Sequence, residues 1–191
     1  MANGKLEYWQ WKNYLNSSAL KQLNKFINKS ILKDEPIDCA ATENGNTKKF
    51  LKTKLIPWIN IKDYLPYFWD KIRNVNLNSF GYDIIEPTAL DQVHYNIYSS
   101  KSKDRYDWHV DSASIDDPLV DIKFTVLINI SDKKYTGGQF KMFNTNEFEA
   151  VELNTPGNMI MFKSYINHRV EKVLTGERKT LALFIKGPAF R

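Results

Sequence analysis

From residue 84 onward the chain breaks into short runs of β-branched and aromatic residues, separated at near-regular intervals by glycine, proline, asparagine and aspartate. Runs of this length and spacing are the mark of an all-β sandwich or barrel. They fall near 92–98, 106–111, 122–130, 138–143, 148–153, 158–163, 168–174 and 179–186. Eight strands suit a double-sheet jelly roll. The first 83 residues have another texture. Leu20, Leu23 and Ile27 recur at helical spacing within 16–29, behind Ser17 or Ser18 as a cap. A second helix is predicted from Asp63 as cap, with Pro66 in its first turn, a stripe of Leu65, Phe68, Ile72 and Val75, an end near Asn78 and Gly81 as the stop. Residues 33–49 are polar and read as a loop. The expected architecture is mainly β with flanking helices around a double-stranded β-helix (jelly roll) core. It forms one domain, 1–191: residues 1–83 mostly helical and packed on the barrel, residues 84–191 the roll itself.

Composition narrows the setting. A chain of 191 residues with 42% hydrophobic and 14% aromatic content folds around a sizeable core. No apolar run approaches the ~20 residues of a membrane helix, and residues 1–11 lack the apolar stretch of a signal peptide. Cys39 is the only cysteine, which forbids an internal disulfide and fits a reducing, cytoplasmic setting. The net charge of +5 permits an acidic partner without demanding one, because the basic residues are dispersed apart from Lys101, Lys103 and Arg105.

Chemistry concentrates at Tyr106-Asp107-Trp108-His109-Val110-Asp111. Residues i and i+2 of a strand face the same way, so His109 and Asp111 project together. Far downstream, beyond the Pro156-Gly157 turn and an apolar run, stands His168. Two histidines and one carboxylate on one face of a metal make the facial triad of non-heme Fe(II) oxygenases, which leaves coordination positions open. On run 122–130, Phe124, Val126, Ile128 and Ile130 form a core face, while Thr125, Leu127 and Asn129 form a mixed face suited to a cavity wall. The last run repeats the pattern: Leu181, Leu183 and Ile185 on the core side, Arg178, Thr180, Ala182 and Phe184 on the other. A guanidinium beside small residues offers a planar fork for a ligand carboxylate. The competing reading is an ion pair between Arg178 and Glu171 or Glu177.

His109-x-Asp111, His168 and Arg178, in that order, resemble the iron- and 2-oxoglutarate-dependent dioxygenases, and most nearly the prolyl 4-hydroxylase-like branch. In that branch a basic residue follows the last histidine by nine or ten positions, as Arg178 follows His168 here. Further ordered matches are Phe124-Thr125-Val126-Leu127, Ser131-Asp132 with Tyr135-Thr136-Gly137-Gly138-Gln139-Phe140, and Thr155-Pro156-Gly157-Asn158 before an apolar strand. The resemblance spans residues ~80 to 188. It implies Fe(II) on His109, Asp111 and His168; 2-oxoglutarate gripped by Arg178; Tyr98 lining the cosubstrate pocket; Asn129 where some relatives place a tyrosine that holds the same carboxylate; and Thr125 and Thr180 as pocket walls. Beyond these ligands it implies no further catalytic side chain, with ascorbate as a stimulant. Tyr106 is a substrate-side candidate only if a bulge re-aims it. The implied reaction hydroxylates an unactivated C–H bond, foremost of a prolyl residue in a protein or peptide, with release of succinate and CO2. One departure is plain: relatives often carry a glycine in the loop before His-x-Asp, and Ser99–Arg105 has none.

Other readings stay open. A free amino acid or another small molecule could be the substrate. Nucleic-acid dealkylation is disfavoured, because the dealkylases of this chemistry typically carry a second arginine six residues after the first, where this chain has Phe184. The chain could also be a non-catalytic metal-binding jelly-roll module. His94 reads as a structural strand residue, and Trp9, Trp11, Trp58, Trp69 and Trp108 as packing. The segments 99–105 and 112–121 flank the triad and are expected to select the substrate. The sequence does not fix an oligomeric state.

Overall fold

The computed structural model describes residues 7–31, 37–43, 47–111 and 118–189. They build one large curled antiparallel sheet with helices on its outer face. In chain order the strands are β1 (Tyr8–Trp11), β2 (Ile37–Glu43), β3 (Thr47–Pro57), β4 (Gln92–Ser99), β5 (Arg105–His109), β6 (Val120–Asn129), β7 (Thr136–Gly137), β8 (Phe140–Phe143), β9 (Glu147–Glu149), β10 (Met159–Lys163), β11 (Asn167–Val170), β12 (Val173–Thr175) and β13 (Glu177–Pro188). The helices are α1 (Ser17–Phe26), α2 (Trp58–Ile61) and α3 (Phe68–Val75). Among the described residues the main sheet has eleven strands in the order β1-β10-β6-β13-β4-β3-β5-β11-β8-β9, with β2 beside β3, and β7 and β12 form a separate two-stranded ladder.

Alternation along the long strands sorts side chains into two cores. Phe124, Val126, Ile128, Leu181, Leu183 and Ile185 face outward and pack with Leu23, Ile27, Phe68 and Ile72 from the helical layer. Leu127 and Ala182 face inward and pack with Tyr98, Phe140, Phe162 and Val170 inside the roll. Both faces therefore fall where the period of two predicts.

The N-terminal part is a mixture of helix and strand, which corrects the mostly helical expectation. The segment 33–49, read as a loop, carries β2 and the start of β3; residues 32–36 and 44–46 lie outside the described residues. β3 pairs with β4 through Lys52–Pro57 and with β5 through Lys49 and Phe50, so it joins the two halves of the sheet. Leu51 and Thr53 alternate into the interior, but interleaved lysines mask this in the sequence. The cap of α1 is Asn16, whose side chain accepts from the Ala19 N–H at 2.9 Å, rather than Ser17 or Ser18; asparagine does this as well as serine. Asp63 caps nothing. Leu65 precedes Pro66, which bars helical geometry, so α3 restarts after Tyr67, itself at φ +54°. Gly81 does end the segment, at φ +73°. The predicted run 148–153 divides into β9 and a 3₁₀ turn, Val151–Asn154, because Ala150 and Leu153 are both buried and three apart.

The turn before β10 ties the layers together. Gly157 N–H donates to the Asn129 carbonyl at 2.7 Å, and its own carbonyl accepts from Leu15 N–H at 2.9 Å. Gly157 sits at φ +89°, and an added Cβ would collide with the Leu15 carbonyl oxygen. Gly157→Ala is expected to cost more than about 1 kcal/mol, read as a lowered denaturant midpoint with an unchanged slope.

Candidate metal centre

His109 closes β5 and His168 lies on β11, and the two are directly opposite in the antiparallel register. Their rings lie 4.1 Å apart. Asp111 follows β5, its N–H bonded to the Ser164 carbonyl at 2.9 Å. Its carboxylate reaches His168 Nε2 at 3.3 Å and His109 Nε2 at 3.7 Å. One ligand atom from each residue falls within 4.8 Å of the others. Each imidazole engages a backbone carbonyl through Nδ1, His109 with Asp107 at 2.7 Å and His168 with Ile166 at 2.9 Å. That fixes the tautomer and turns both Nε2 atoms to one point, the outer-shell arrangement that metal-binding histidines require. Burial alone would push the Asp111 carboxyl up. The neighbouring His168, then His109, and the hydroxyl of Thr125 at 2.7 Å outweigh it and hold the group at about 2, so it is an anion at neutral pH. The donor set fits a divalent first-row metal with open positions.

A cavity of about 220 Å³ opens in front of the triad. It is lined by His94, Asn96 and Tyr98 from β4, Thr125 and Leu127 from β6, Ala182 and Phe184 from β13, and by Tyr106, Phe140 and Val170. Tyr98 is 3% exposed, and burial pushes its hydroxyl up to about 12. The Arg178 guanidinium lies 5.4 Å from the Tyr98 ring centre. Arg178 is 1% exposed, and its Nε and Nη2 have no hydrogen-bond partner among the described residues. The ion-pair reading fails among the described residues: Glu171 pairs with Lys141 and Arg169, and Glu177 with Lys179. Space for the arginine comes from Gly138, at φ +66°, where a Cβ would stand 2.9 Å from Arg178 Cδ.

Two of the residues named as pocket walls are otherwise engaged. Asn129 is wholly buried, but its amide donates to the Tyr135 hydroxyl and the Leu153 carbonyl and accepts from Ser131 N–H. It braces a loop and has no donor left for a carboxylate. Thr180 is buried between Asn96 and Asn129 in register and does not line the cavity. The 99–105 loop, without a glycine, turns at Lys103 with φ +54°, while Asp104 accepts from Ser99 N–H at 2.8 Å and closes the turn. Residues 112–117, in the other flanking segment, lie outside the described residues. His94, read as structural, lines the cavity with its ring edge-on to Phe184 at 5.1 Å. Its shared parity with Tyr98 was the signal.

Tyr106 does enter the cavity, and by the bulge it needed. Four residues of β5, Tyr106 to His109, stand opposite three of β11, His168 to Val170. The shift stacks Tyr106 on His109, with ring centres 3.5 Å apart and planes at 13°. It also aims the Asp107 carbonyl at His109. Outside the roll, Arg169 lies over Trp108 at 4.8 Å. Arg169 is held in turn by Glu147 at 3.2 Å and Glu171 at 2.9 Å. This stack clamps the bulge from behind. Trp108→Ala is expected to weaken divalent metal binding about tenfold, as loss of an outer-shell support does. Cobalt titration would read the loss against an unchanged circular dichroism spectrum.

Comparison with known proteins agrees with this geometry. Residues 93–186 match the model of the 2OG-Fe(II) oxygenase superfamily. A PKHD-type hydroxylase of Prochlorococcus marinus (strain MIT 9215) is 30% identical over 97 residues, which cover 50% of this chain and 43% of that protein. The chain thus spans less than half the length of this curated relative. Among solved structures, a Pseudomonas putida prolyl-4-hydroxylase superposes with a TM-score of 0.72 at 16% identity, over 96% of this chain and 94% of the other. A Trichoplax adhaerens prolyl hydroxylase, in complex with a hypoxia inducible factor peptide fragment, gives 0.67 at 18% identity over 94% and 83%. These superpositions establish the jelly-roll fold. Residues 93–186, which hold the triad and Arg178, carry the pattern of the 2OG-Fe(II) oxygenase superfamily.

Proposed function

We propose that the chain is an iron- and 2-oxoglutarate-dependent hydroxylase, with prolyl residues of a protein or peptide as its first candidate substrates. The observation that carries this reading is the pairing of an open His109–Asp111–His168 triad with a buried arginine that lies over Tyr98, a wall residue of the same cavity, and has two donors unused among the described residues. A buried guanidinium left unpaired is costly, so a carboxylate ligand is the natural partner. Iron and 2-oxoglutarate bound there supply the oxidising power to place one atom of dioxygen on a C–H carbon, while 2-oxoglutarate leaves as succinate and CO2.

The protein's own residues position and exclude. His109, Asp111 and His168 would hold the metal. Arg178 would take the distal carboxylate, with Tyr98 beside it. Thr125 fixes one carboxylate oxygen of Asp111 through its hydroxyl. Phe140, Phe162 and Val170 keep the surround of His168 dry. The prolyl assignment draws its support from the relatives named above, one of which was solved with a peptide. Among the described residues no helix is long and apolar enough to cross a membrane.

Iron-loaded protein is expected to convert 2-oxoglutarate to succinate, and faster with a hydroxylatable peptide. His109→Ala or Asp111→Ala should abolish both metal binding and turnover with the fold retained. Normal turnover by either variant would refute the triad. Arg178→Ala should weaken 2-oxoglutarate by about 10- to 100-fold, the weight of a charge-assisted bond, and leave metal affinity unchanged. Metal binding without any succinate would favour the non-catalytic module.

A further inference from the structure

We infer that a cleft between α1 and the loop joining β6 to β7 docks an acidic peptide segment of a partner protein. The cleft encloses about 910 Å³ and shares no lining residue with the metal cavity. Docking there does not depend on the iron chemistry. Three features of the cleft carry it.

Charge left without a counter-charge comes first. Helix α1 contains no acidic residue. Its Lys21 and Lys25 are four residues apart, so they share a face, and both line the cleft. Lys133 and Lys134 line it from the loop. All four are exposed, and none makes an ion pair among the described residues. Like charges at the spacing of Lys21 and Lys25 weaken a helix, so the pair does nothing for α1 itself. Elsewhere the fold matches its lysines: Lys141 with Glu147 and Glu171, Lys186 with Asp91.

The acids of the cleft come second. Asp132 and Glu149 also line it, and both are engaged. Asp132 accepts from Lys179 Nζ at 2.7 Å, and Glu149 accepts from the Asn154 amide at 2.7 Å. The four lysines therefore keep a positive field over the cleft, which an acidic partner complements.

The third feature selects a peptide. The Asn154 side-chain oxygen is buried in the cleft wall and has no hydrogen-bond partner among the described residues. The NH2 of the same side chain is committed to Glu149, so the oxygen is fixed as an acceptor. A peptide N–H satisfies it, and a phosphate, which only accepts, does not. Leu20, Pro156 and the aliphatic stems of the lysines offer apolar surface to side chains that stand between the acids. Nucleic acid fits less well. No arginine lines the cleft, and its one aromatic lining residue, Tyr135, has its hydroxyl bonded to Asn129, so a row of stacking rings and a guanidinium fork are both missing there.

The test uses the full chain and fluorescein-labelled short peptides of alternating glutamate and alanine. Glutamine–alanine and lysine–alanine peptides and oligothymidylate serve as comparisons. Fluorescence anisotropy at low salt should show the glutamate peptide bound about tenfold more tightly than the glutamine peptide. Lys21→Glu with Lys25→Glu, and separately Lys133→Glu with Lys134→Glu, should each weaken the glutamate peptide about tenfold and strengthen the lysine peptide. Lys62→Glu with Lys71→Glu makes an equal charge change outside the cleft and should leave binding within about twofold of wild type. Asn154→Ala should weaken the glutamate peptide about fivefold, and that loss, unlike those at the lysines, should persist as salt is raised. Cobalt binding at the triad should match wild type in every variant and so report an intact fold. If one lysine pair loses cobalt along with peptide, the other pair, on a separate element, decides. An equal loss in the Lys62 and Lys71 variant would reduce the effect to net charge and overturn the inference. Tighter binding of oligothymidylate than of the glutamate peptide, lost in the same cleft variants, would assign the cleft to nucleic acid and overturn it too. No binding of the glutamate peptide at millimolar concentration would do the same. None of these readouts needs turnover, so failure here leaves the hydroxylase reading untouched.

Discussion

The hydrogen bond from Thr125 to Asp111 joins strands that lie far apart in the sheet. β6, which carries Thr125, and β5, which leads to Asp111, are separated in the strand order by β13, β4 and β3. A flat sheet would hold them well over 15 Å apart at the ordinary strand spacing. Their side chains meet at 2.7 Å, so the sheet has rolled over on itself. Two backbone bonds, Asp111 N–H to Ser164 and Ser164 N–H to Lys123, stitch the same seam. The cavity is the space this closure encloses, and the triad is assembled at the seam.

Within the roll, one rule of strand geometry does most of the sorting. On β6 and β13 alternate residues go to the helical layer or to the cavity, with no ambiguity, because both sides are buried. A slip of one residue would bring Phe124 into the cavity and expel Thr125. The long apolar faces therefore secure stability and the aim of the cavity side chains at once. The bulge in β5 breaks the alternation beside the triad, and there the break serves the site: it turns Tyr106 inward and lends a carbonyl to His109.

Much of this was legible in the residues. The two faces of β6 and β13 and the shared face of His109 and Asp111 followed from parity and spacing, while the place of Tyr98 came from the family resemblance. Three kinds of feature did not. Asn129 shares the inward parity, but its donors are consumed by Tyr135 and Leu153, partners that only the folded chain brings near. His94 was set aside for want of ligand spacing, although lining a cavity needs only the right face. β3 was hidden because a strand rich in lysine and threonine lacks the apolar run that marks its neighbours, while its ladder bonds are indifferent to side chains. The bulge itself has no local sequence mark. What stabilises it, Arg169 over Trp108, is a contact between strands sixty residues apart in the chain.

The place of β3 between β4 and β5 bears on where the smallest autonomous unit ends. Residues 93–186 hold the sequence pattern of the superfamily and every member of the triad. They do not hold the strand that bridges the halves of the main sheet, since β3 alone pairs with both β4 and β5. A fragment cut to the recognisable region would present two unsatisfied ladder edges facing each other across a gap one strand wide. Those edges would recruit a strand from another molecule or let the roll spring open. The stretch that carries the chemistry by inheritance is therefore smaller than the stretch that can fold to perform it.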